Sequence, residues 1–287
     1  MTIGDALRLA ELRLLRAGVE SPRIVAEWSL AARLDLKRLE LPLYYREEMP
    51  PPAAQAWEED LARLSAGEPI QYVLASAVFF GREFRVDSRV LIPRPETEEL
   101  AGHVLACDEL WARPSPRVCD VGTGSGCLAI TLVLERAAGA LVGTDVSGPA
   151  LAIASWNAGR LGAASRVTWR CADLLDGLED ASLDAVVSNP PYVPSGALAG
   201  LDRTVRDFEP VQALDGGPDG LQVIRRLVSQ AVRTLVHGGW LWLEIGEKQG
   251  GAVSAIAHNA GFRDISVAKD ACGRDRILSA RLASAAP

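Results

Sequence analysis

At 287 residues, 48% hydrophobic and 23% charged, the chain can fill one large or two moderate cores, and two domains are expected. A net charge of −7 argues against bulk nucleic acid as the main partner, because phosphate binding needs clustered Lys and Arg. Five cysteines without a C-x-x-C pair and three dispersed histidines, His103, His237 and His258, argue against a zinc site or a Ser/His/Asp hydrolase and predict buried thiols in a reducing compartment.

The start, MTIGDALRLAELRLLRAG, is amphipathic but interrupted by Asp5, Arg8, Glu11 and Arg13, so it lacks the apolar block of a signal sequence. No stretch approaches the about 20 apolar residues of a membrane span, and a cytoplasmic protein is expected. Residues 2 to 66 read as a small helical bundle. Leu7, Leu9, Leu12, Leu14 and Leu15 repeat at helical spacing, Ser21-Pro22 reads as an N-cap with proline at N1, and Gly67 closes the Ala53 to Ala66 helix. From Gln71 the texture is β-rich. Ala77 to Phe80, a Gly81-Arg82 turn and Glu83 to Val86 predict a hairpin bridging two domains, so the expected division is 1–70, a 71–95 linker and 96–287. The proline-stiffened segment Leu91 to Thr97 follows, and Glu96 or Thr97 opens a helix running to Ala112.

Beyond Pro116, strands and helices alternate, the pattern of an α/β domain with a mostly parallel sheet. Strands are predicted at 117–121, 140–145, 167–171, 183–188 and 239–245, with helices near 126–137, 149–161, 221–236 and 249–260. Strands 263–269 and 275–282 are expected to pair as an antiparallel edge, followed by a short tail from Ala283 to Pro287.

The first of these strands, Arg117 to Val121, runs into Gly122-Thr123-Gly124-Ser125-Gly126 and then a helix. Glycines let the backbone approach a ligand and the helix N-terminus offers free N–H groups, although a tight strand-to-helix turn would look the same. Cys127 stands where a dinucleotide fingerprint wants its last glycine, which favours S-adenosyl-L-methionine over NAD. Asp145 ends the second strand about 20 residues on, where a carboxylate can accept both ribose hydroxyls, and Val146 could cover the adenine. Asp173 and Leu174, just past the third strand, are candidates for the adenine edge, although Asp173 also reads as a loop or cap residue. Asp120, a carboxylate inside a strand, needs a partner and is assigned to the methionine end.

The fourth strand delivers Asn189-Pro190-Pro191-Tyr192 at its carboxyl end, where open α/β sheets bind ligands. A carboxamide or aromatic amine is a poor nucleophile because its lone pair is delocalised, so a catalyst must hold the N–H bonds and aim the lone pair. The Asn189 side-chain oxygen and the Pro190 carbonyl are two acceptors for one NH2 group; Pro191 stiffens that carbonyl and Tyr192 offers a flat face. No base is needed before transfer, since the proton becomes acidic only afterwards. A strand-ending turn is the bland alternative.

Over nearly its whole length the chain resembles the peptide chain release factor glutamine methyltransferases, the HemK-like family. The resemblance rests on Gly67 to Tyr72, Val90 to Glu98, Asp120 to Gly126, Asn189 to Tyr192, Glu209-Pro210 through Asp219-Gly220-Leu221, and Gly273 to Arg276. It implies a helical N-terminal domain that grips the release factor and a seven-stranded Rossmann-like class I methyltransferase domain. The implied activity methylates the glutamine of a Gly-Gly-Gln motif to N5-methylglutamine, leaving S-adenosyl-L-homocysteine. Carried over, Asp120, Gly122 to Gly126, Asp145, Val146, Asp173, Leu174 and Asn189 would bind the cofactor, Asn189 to Tyr192 the glutamine amide, and Leu91 and Ile92 would wall the amide pocket. A monomer without metal, membrane or nucleic-acid partner is expected. The chain departs from the family at Ala75, where glycine is usual, at Phe80 and at Leu174.

A glutamine methyltransferase of a ribosomal protein would tend to carry Arg-Ser-Pro-Ile where this chain has Arg94-Pro95-Glu96-Thr97. An adenine-N6 methyltransferase would need a basic base-flipping channel, whereas the N-terminal region holds Glu40, Glu47, Glu48, Glu58, Glu59 and Asp60. A binding module that kept only the fold would not need the intact tetrapeptide.

Overall fold

In the computed structural model, which describes residues 1–136 and 139–283, apolar residues three and four apart bury one face of helix α1 (Ile3–Arg16). Leu7 and Leu14 are fully buried there, whereas Leu9, Leu12 and Leu15 lie on the exposed face. Helix α2 (Pro22–Leu34) starts on its proline; Ser21 sits in the left-handed region at φ 49° and makes no side-chain cap. A 3-10 segment (Arg38–Tyr44), α3 (Pro51–Ser65) and α4 (Ile70–Val73) complete this core with Leu41, Trp57, Leu61 and Leu64. Asp60, expected on an acidic surface, is 2% exposed and held bidentately by Arg33 at 2.6 and 2.6 Å. The unit comprises Met1–Ser76 together with Asp202–Phe208, and so includes the short helix of residues 203–206.

Ala75 stands at φ 53°, in the left-handed region where a Cβ is penalised and glycine is not. Replacing Ala75 with glycine should therefore raise stability by about 1 kcal/mol, the size of the αL penalty less the entropy glycine loses on folding. The check is a higher urea midpoint at an unchanged slope; an unchanged midpoint would show that the strain is relaxed elsewhere.

The second unit comprises Ala77–Leu201 and the chain from Glu209 onward. Its hairpin pairs β1 (Ser76–Phe79) with β2 (Arg82–Arg85). The turn lies one residue earlier than expected, on Phe80 and Gly81, both at positive φ (50° and 71°) as a two-residue hairpin twist demands. The Phe80 N–H donates to Glu98 Oε1 at 2.6 Å, anchoring the strained residue. Phe79 and Phe84 are fully buried and meet edge to face with centroids 6.1 Å apart. The hairpin is therefore part of the second unit's core and not a free linker. The expected helix to Ala112 is two, α5 (Pro95–Leu105) and α6 (Asp108–Trp111), because the break at Ala106-Cys107 turns Leu110 and Trp111 inward, with Trp111 Nε1 donating to the Val104 carbonyl at 2.8 Å.

The alternating part of the sequence then forms β3 (Arg117–Val121), α7 (Cys127–Glu135), β4 (Ala140–Asp145), α8 (Gly148–Arg160), β5 (Val167–Cys171) and β6 (Leu183–Ser188). After α9 (Arg203–Arg206) of the first unit come α10 (Gln222–Thr234), β7 (Leu235–Glu244), α11 (Gly250–Asn259), β8 (Phe262–Lys269) and β9 (Asp275–Leu282). The expected helix end at Ala137 and the tail Ser284 to Pro287 lie outside the described residues. The seven strands order as β5-β4-β3-β6-β7-β9-β8, parallel except for β9, which is antiparallel to both neighbours. As expected, β8 and β9 pair antiparallel and form one edge of the sheet: β9 inserts between β7 and β8, and the more polar β8 takes the rim. Alternation puts Val118 into a core with α5 and α7, and Cys119 into the opposite one with α10 and α11. The chain reverses its direction of progress across the sheet between β3 and β6, and a crevice opens at that switch point.

Two devices hold the glycine loop. Asn157 of α8 is fully buried; its Oδ1 accepts from Arg85 N at 2.8 Å, and its Nδ2 donates to the carbonyls of Arg85 (3.1 Å) and Ser125 (2.9 Å), tying hairpin to loop. Trp169 of β5 lies across Gly143 and reaches Gly126, where a Cβ would meet the ring at 2.9 Å and Ala154 at 3.0 Å. Gly126 is thus demanded by packing.

Candidate active site

A cavity of about 600 Å³ opens at the carboxyl ends of β3, β4 and β6, a size typical of small-molecule clefts. Gly122 and Gly124, Asp145 and Val146, Asp173 and Leu174, Asn189 and Pro191, and Leu91 all line it. Asp120, Thr123 and Ser125 line a smaller adjoining space of about 50 Å³ that shares Leu91, Gly122, Gly124 and Asn189 with the first. Gly126, Ile92, Pro190 and Tyr192 line neither. Ile92 is 3% exposed and its N–H donates to Glu209 Oε2 at 3.4 Å, so it supports the wall from behind.

The Asp145 carboxylate accepts from Gly124 N and Ser147 N, each at 2.9 Å, and burial raises its pKa. One lone-pair position on each oxygen is left for a diol. The Gly124 contact shows what its positive φ of 56° achieves: the N–H is turned sideways onto the next strand's carboxylate. Val146, 52% exposed, offers the cavity an apolar cover. Asp173 is half-exposed and paired with Arg226 at 2.6 Å, so one of its oxygens is already committed. Asp120, 2% exposed, accepts from Thr123 Oγ1 (2.6 Å) and Ala129 N (3.1 Å); burial pushes its pKa up to about 6. An unpaired buried carboxylate next to an open space favours a cationic guest.

Asn189 directly follows β6, and its Nδ2 donates to Thr97 Oγ1 at 3.0 Å. Among the described residues no hydrogen bond is made to the Pro190 carbonyl. Tyr192 turns its hydroxyl to Glu244 Oε1 at 3.2 Å, and its carbonyl accepts from Gln249 Nε2 at 3.0 Å, so its ring braces the loop. Glu244 is 1% exposed, and burial raises its pKa to about 7. Sequence reasoning missed Thr97, Glu244, Arg94, Glu209 and the cavity wall at Pro210 to Ala213. An acidic residue ending the strand 235–244 was the one available signal for Glu244. Arg94 and the buried Glu209 form an ion pair that joins the two segments flanking the cavity. Of the cysteines, Cys119 and Cys127 are buried, with burial raising both thiols, that of Cys127 to about 12, but Cys171 and Cys272 are exposed, contrary to expectation.

Comparison with known proteins follows the same division of the chain. The family model of the PrmC N-terminal domain matches residues 5–74, and that of the methyltransferase small domain residues 100–202. A release factor glutamine methyltransferase from Cereibacter sphaeroides is 41% identical over 285 residues, covering 99% of this chain and 100% of its own. Another, from Moorella thermoacetica, is 42% identical over 281 residues, covering 98% of each. Among solved structures, a methyltransferase from Pyrococcus furiosus superposes with a TM-score of 0.53 over 79% of this chain and 99% of its own; at 17% identity the likeness is one of fold.

Proposed function

Because the chain belongs to the release factor glutamine methyltransferase family, we propose that it transfers a methyl group from S-adenosyl-L-methionine to the side-chain nitrogen of the Gly-Gly-Gln glutamine of a peptide chain release factor. The observation that carries this reading is the identity of about two residues in five with relatives of that name over essentially their full length. The cavity fits the cofactor. Asp145 would take the ribose hydroxyls, Val146 and Leu174 would face the adenine with Asp173 at its edge, and Asp120 would face the cationic methionine end, with Gly122 to Ser125 supplying backbone close by. When bound, S-adenosyl-L-methionine supplies the electrophilic methyl.

The protein's own part is orientation. Asn189 Oδ1 and the Pro190 carbonyl would accept the two N–H bonds of the glutamine amide, holding its plane so that the nitrogen lone pair points at the methyl donor. Pro191 stiffens the carbonyl, and Leu91 closes the apolar side. The amide proton is lost after transfer, to water, so no histidine is needed. The helical N-terminal unit is read as the release-factor dock, supported by its own family match and by exposed Leu9, Leu12, Leu15, Leu39 and Leu43. The net charge of −7 supports a protein over a nucleic-acid substrate. No described helix is long and apolar enough to cross a membrane. The translation-related names of its relatives support reading the protein as cytoplasmic.

The test is labelled S-adenosyl-L-methionine with a cognate release factor, wild type or with the Gly-Gly-Gln glutamine changed to alanine. Label is expected on the wild type alone; equal labelling of both would sink the reading.

A further inference from the structure

Asn189 can accept from a substrate amide only if its oxygen, and not its NH2, faces the cavity. Nothing in the tetrapeptide itself sets that choice. Two buried residues outside it do. Thr97, 4% exposed in the first turn of α5, receives Asn189 Nδ2–H at 3.0 Å and donates its own hydroxyl proton to Glu244 Oε2 at 2.7 Å. Glu244, at the end of β7, accepts a second hydroxyl from Tyr192 on its other oxygen at 3.2 Å. A hydroxyl has one proton. With that proton given to a carboxylate, the Thr97 oxygen can only accept, so the Asn189 group that faces it must be NH2, and Oδ1 is left for the guest.

We propose that Thr97 and Glu244 are positioning residues, an ordered chain of hydrogen bonds that selects the acceptor face of Asn189 for the glutamine amide. The proposal rests on the reading of Asn189 as the acceptor for that amide, given above. A flipped Asn189 would set NH2 against NH2, losing one substrate hydrogen bond and opposing two donors.

The chain runs in this direction only while Glu244 is ionised; a protonated carboxyl could donate to Thr97, whose proton would then turn toward Asn189. The charged or titratable groups that face Glu244 are Glu96 from α5, Tyr192 from the loop after β6, and Arg276 from β9. Arg276 also donates from Nη1 to the Ile245 carbonyl at 3.0 Å and lies 3.6 Å from Asp270, so its charge is shared.

A merely structural pair would, when broken, lower stability and cofactor affinity together. The relay predicts a loss confined to turnover. For Thr97→Val, kcat with a Gly-Gly-Gln release factor should fall at least about tenfold, with the cofactor Kd by calorimetry and the release-factor KM within about threefold of wild type; Thr97→Ser, which keeps the hydroxyl, should restore most of kcat. Wild-type kcat/KM should also fall as pH drops below about 7, through the Glu244 titration, and Glu244→Gln should lack that limb. The pH arm decides the matter should Thr97→Val not fold. A Thr97→Val enzyme with wild-type kcat, or an acid limb unchanged in Glu244→Gln, overturns the proposal. Asn189→Ala measured in parallel keeps the two readings apart. Full activity there removes the amide reading itself, whereas a dead Asn189→Ala beside a fully active Thr97→Val removes only the relay.

Discussion

Asn189→Ala lowers single-turnover methyl transfer to the release factor by about 10²–10³, the usual cost of deleting one preorganised polar contact to the reacting group. Asn189 stands at the switch point between β3 and β6 and lines both parts of the cavity, so it borders the space a guest must enter. Truncation leaves one substrate N–H without an acceptor and frees the amide plane to rotate, so the lone pair is aimed less often. Folding should survive, because Ser188 remains tied to the Val121 carbonyl at 2.7 Å and the two prolines still constrain the turn. Cofactor affinity, followed by calorimetry, should change little. Loss of cofactor binding in parallel with turnover would mean that Asn189 serves the cofactor and not the amide.

Asp145→Ala has the complementary signature. Two hydroxyls accepted by one carboxylate are worth about 1.5 kcal/mol each at the lower end for charged acceptors, so cofactor Kd should rise about 100-fold. The substitution also releases Gly124 N and Ser147 N, which the carboxylate holds at 2.9 Å, and so loosens the loop that the cofactor must meet. Saturating cofactor should recover much of the turnover, since Asp145 lies away from the amide. A Kd within threefold of wild type would contradict the assignment of the ribose to this strand end.

Several elements were legible before any coordinates because their signals are local. Strands β3, β4, β5 and β6 have the predicted boundaries; in β3 and β6 burial on both faces of the sheet leaves no polar alternation to confuse the reading, whereas the half-exposed edge strand β5 is bounded by the turn residues around it. The glycine loop, Asp145 and the tetrapeptide stood out because glycines, a strand-ending carboxylate and paired prolines are unusual at such positions, and the fold brings Gly122, Gly124, Asp145, Asn189 and Pro191 to one cavity. The hairpin turn was misplaced by one residue because Phe80 adopts a conformation that its side chain disfavours, and what holds it is Glu98, on another element. The last two strands were read as an antiparallel edge from their short connection, which says that they pair but not which of them faces solvent; the polar texture of β8 carried that information.

What the sequence determined by itself is the fold class, the two units' general texture and the candidate tetrapeptide at the end of β6, all of which follow from periodicity and steric demands within a few residues. What only the tertiary structure decided is the company those residues keep. Thr97 meets Asn189 across 92 positions and Glu244 across 147, and Arg94 meets Glu209 across 115. Such meetings depend on the order and register of strands brought side by side, for which neither partner's own neighbours in sequence carry a signal. A buried carboxylate whose role is to orient an amide through a hydroxyl is, in sequence, only a glutamate that ends a strand.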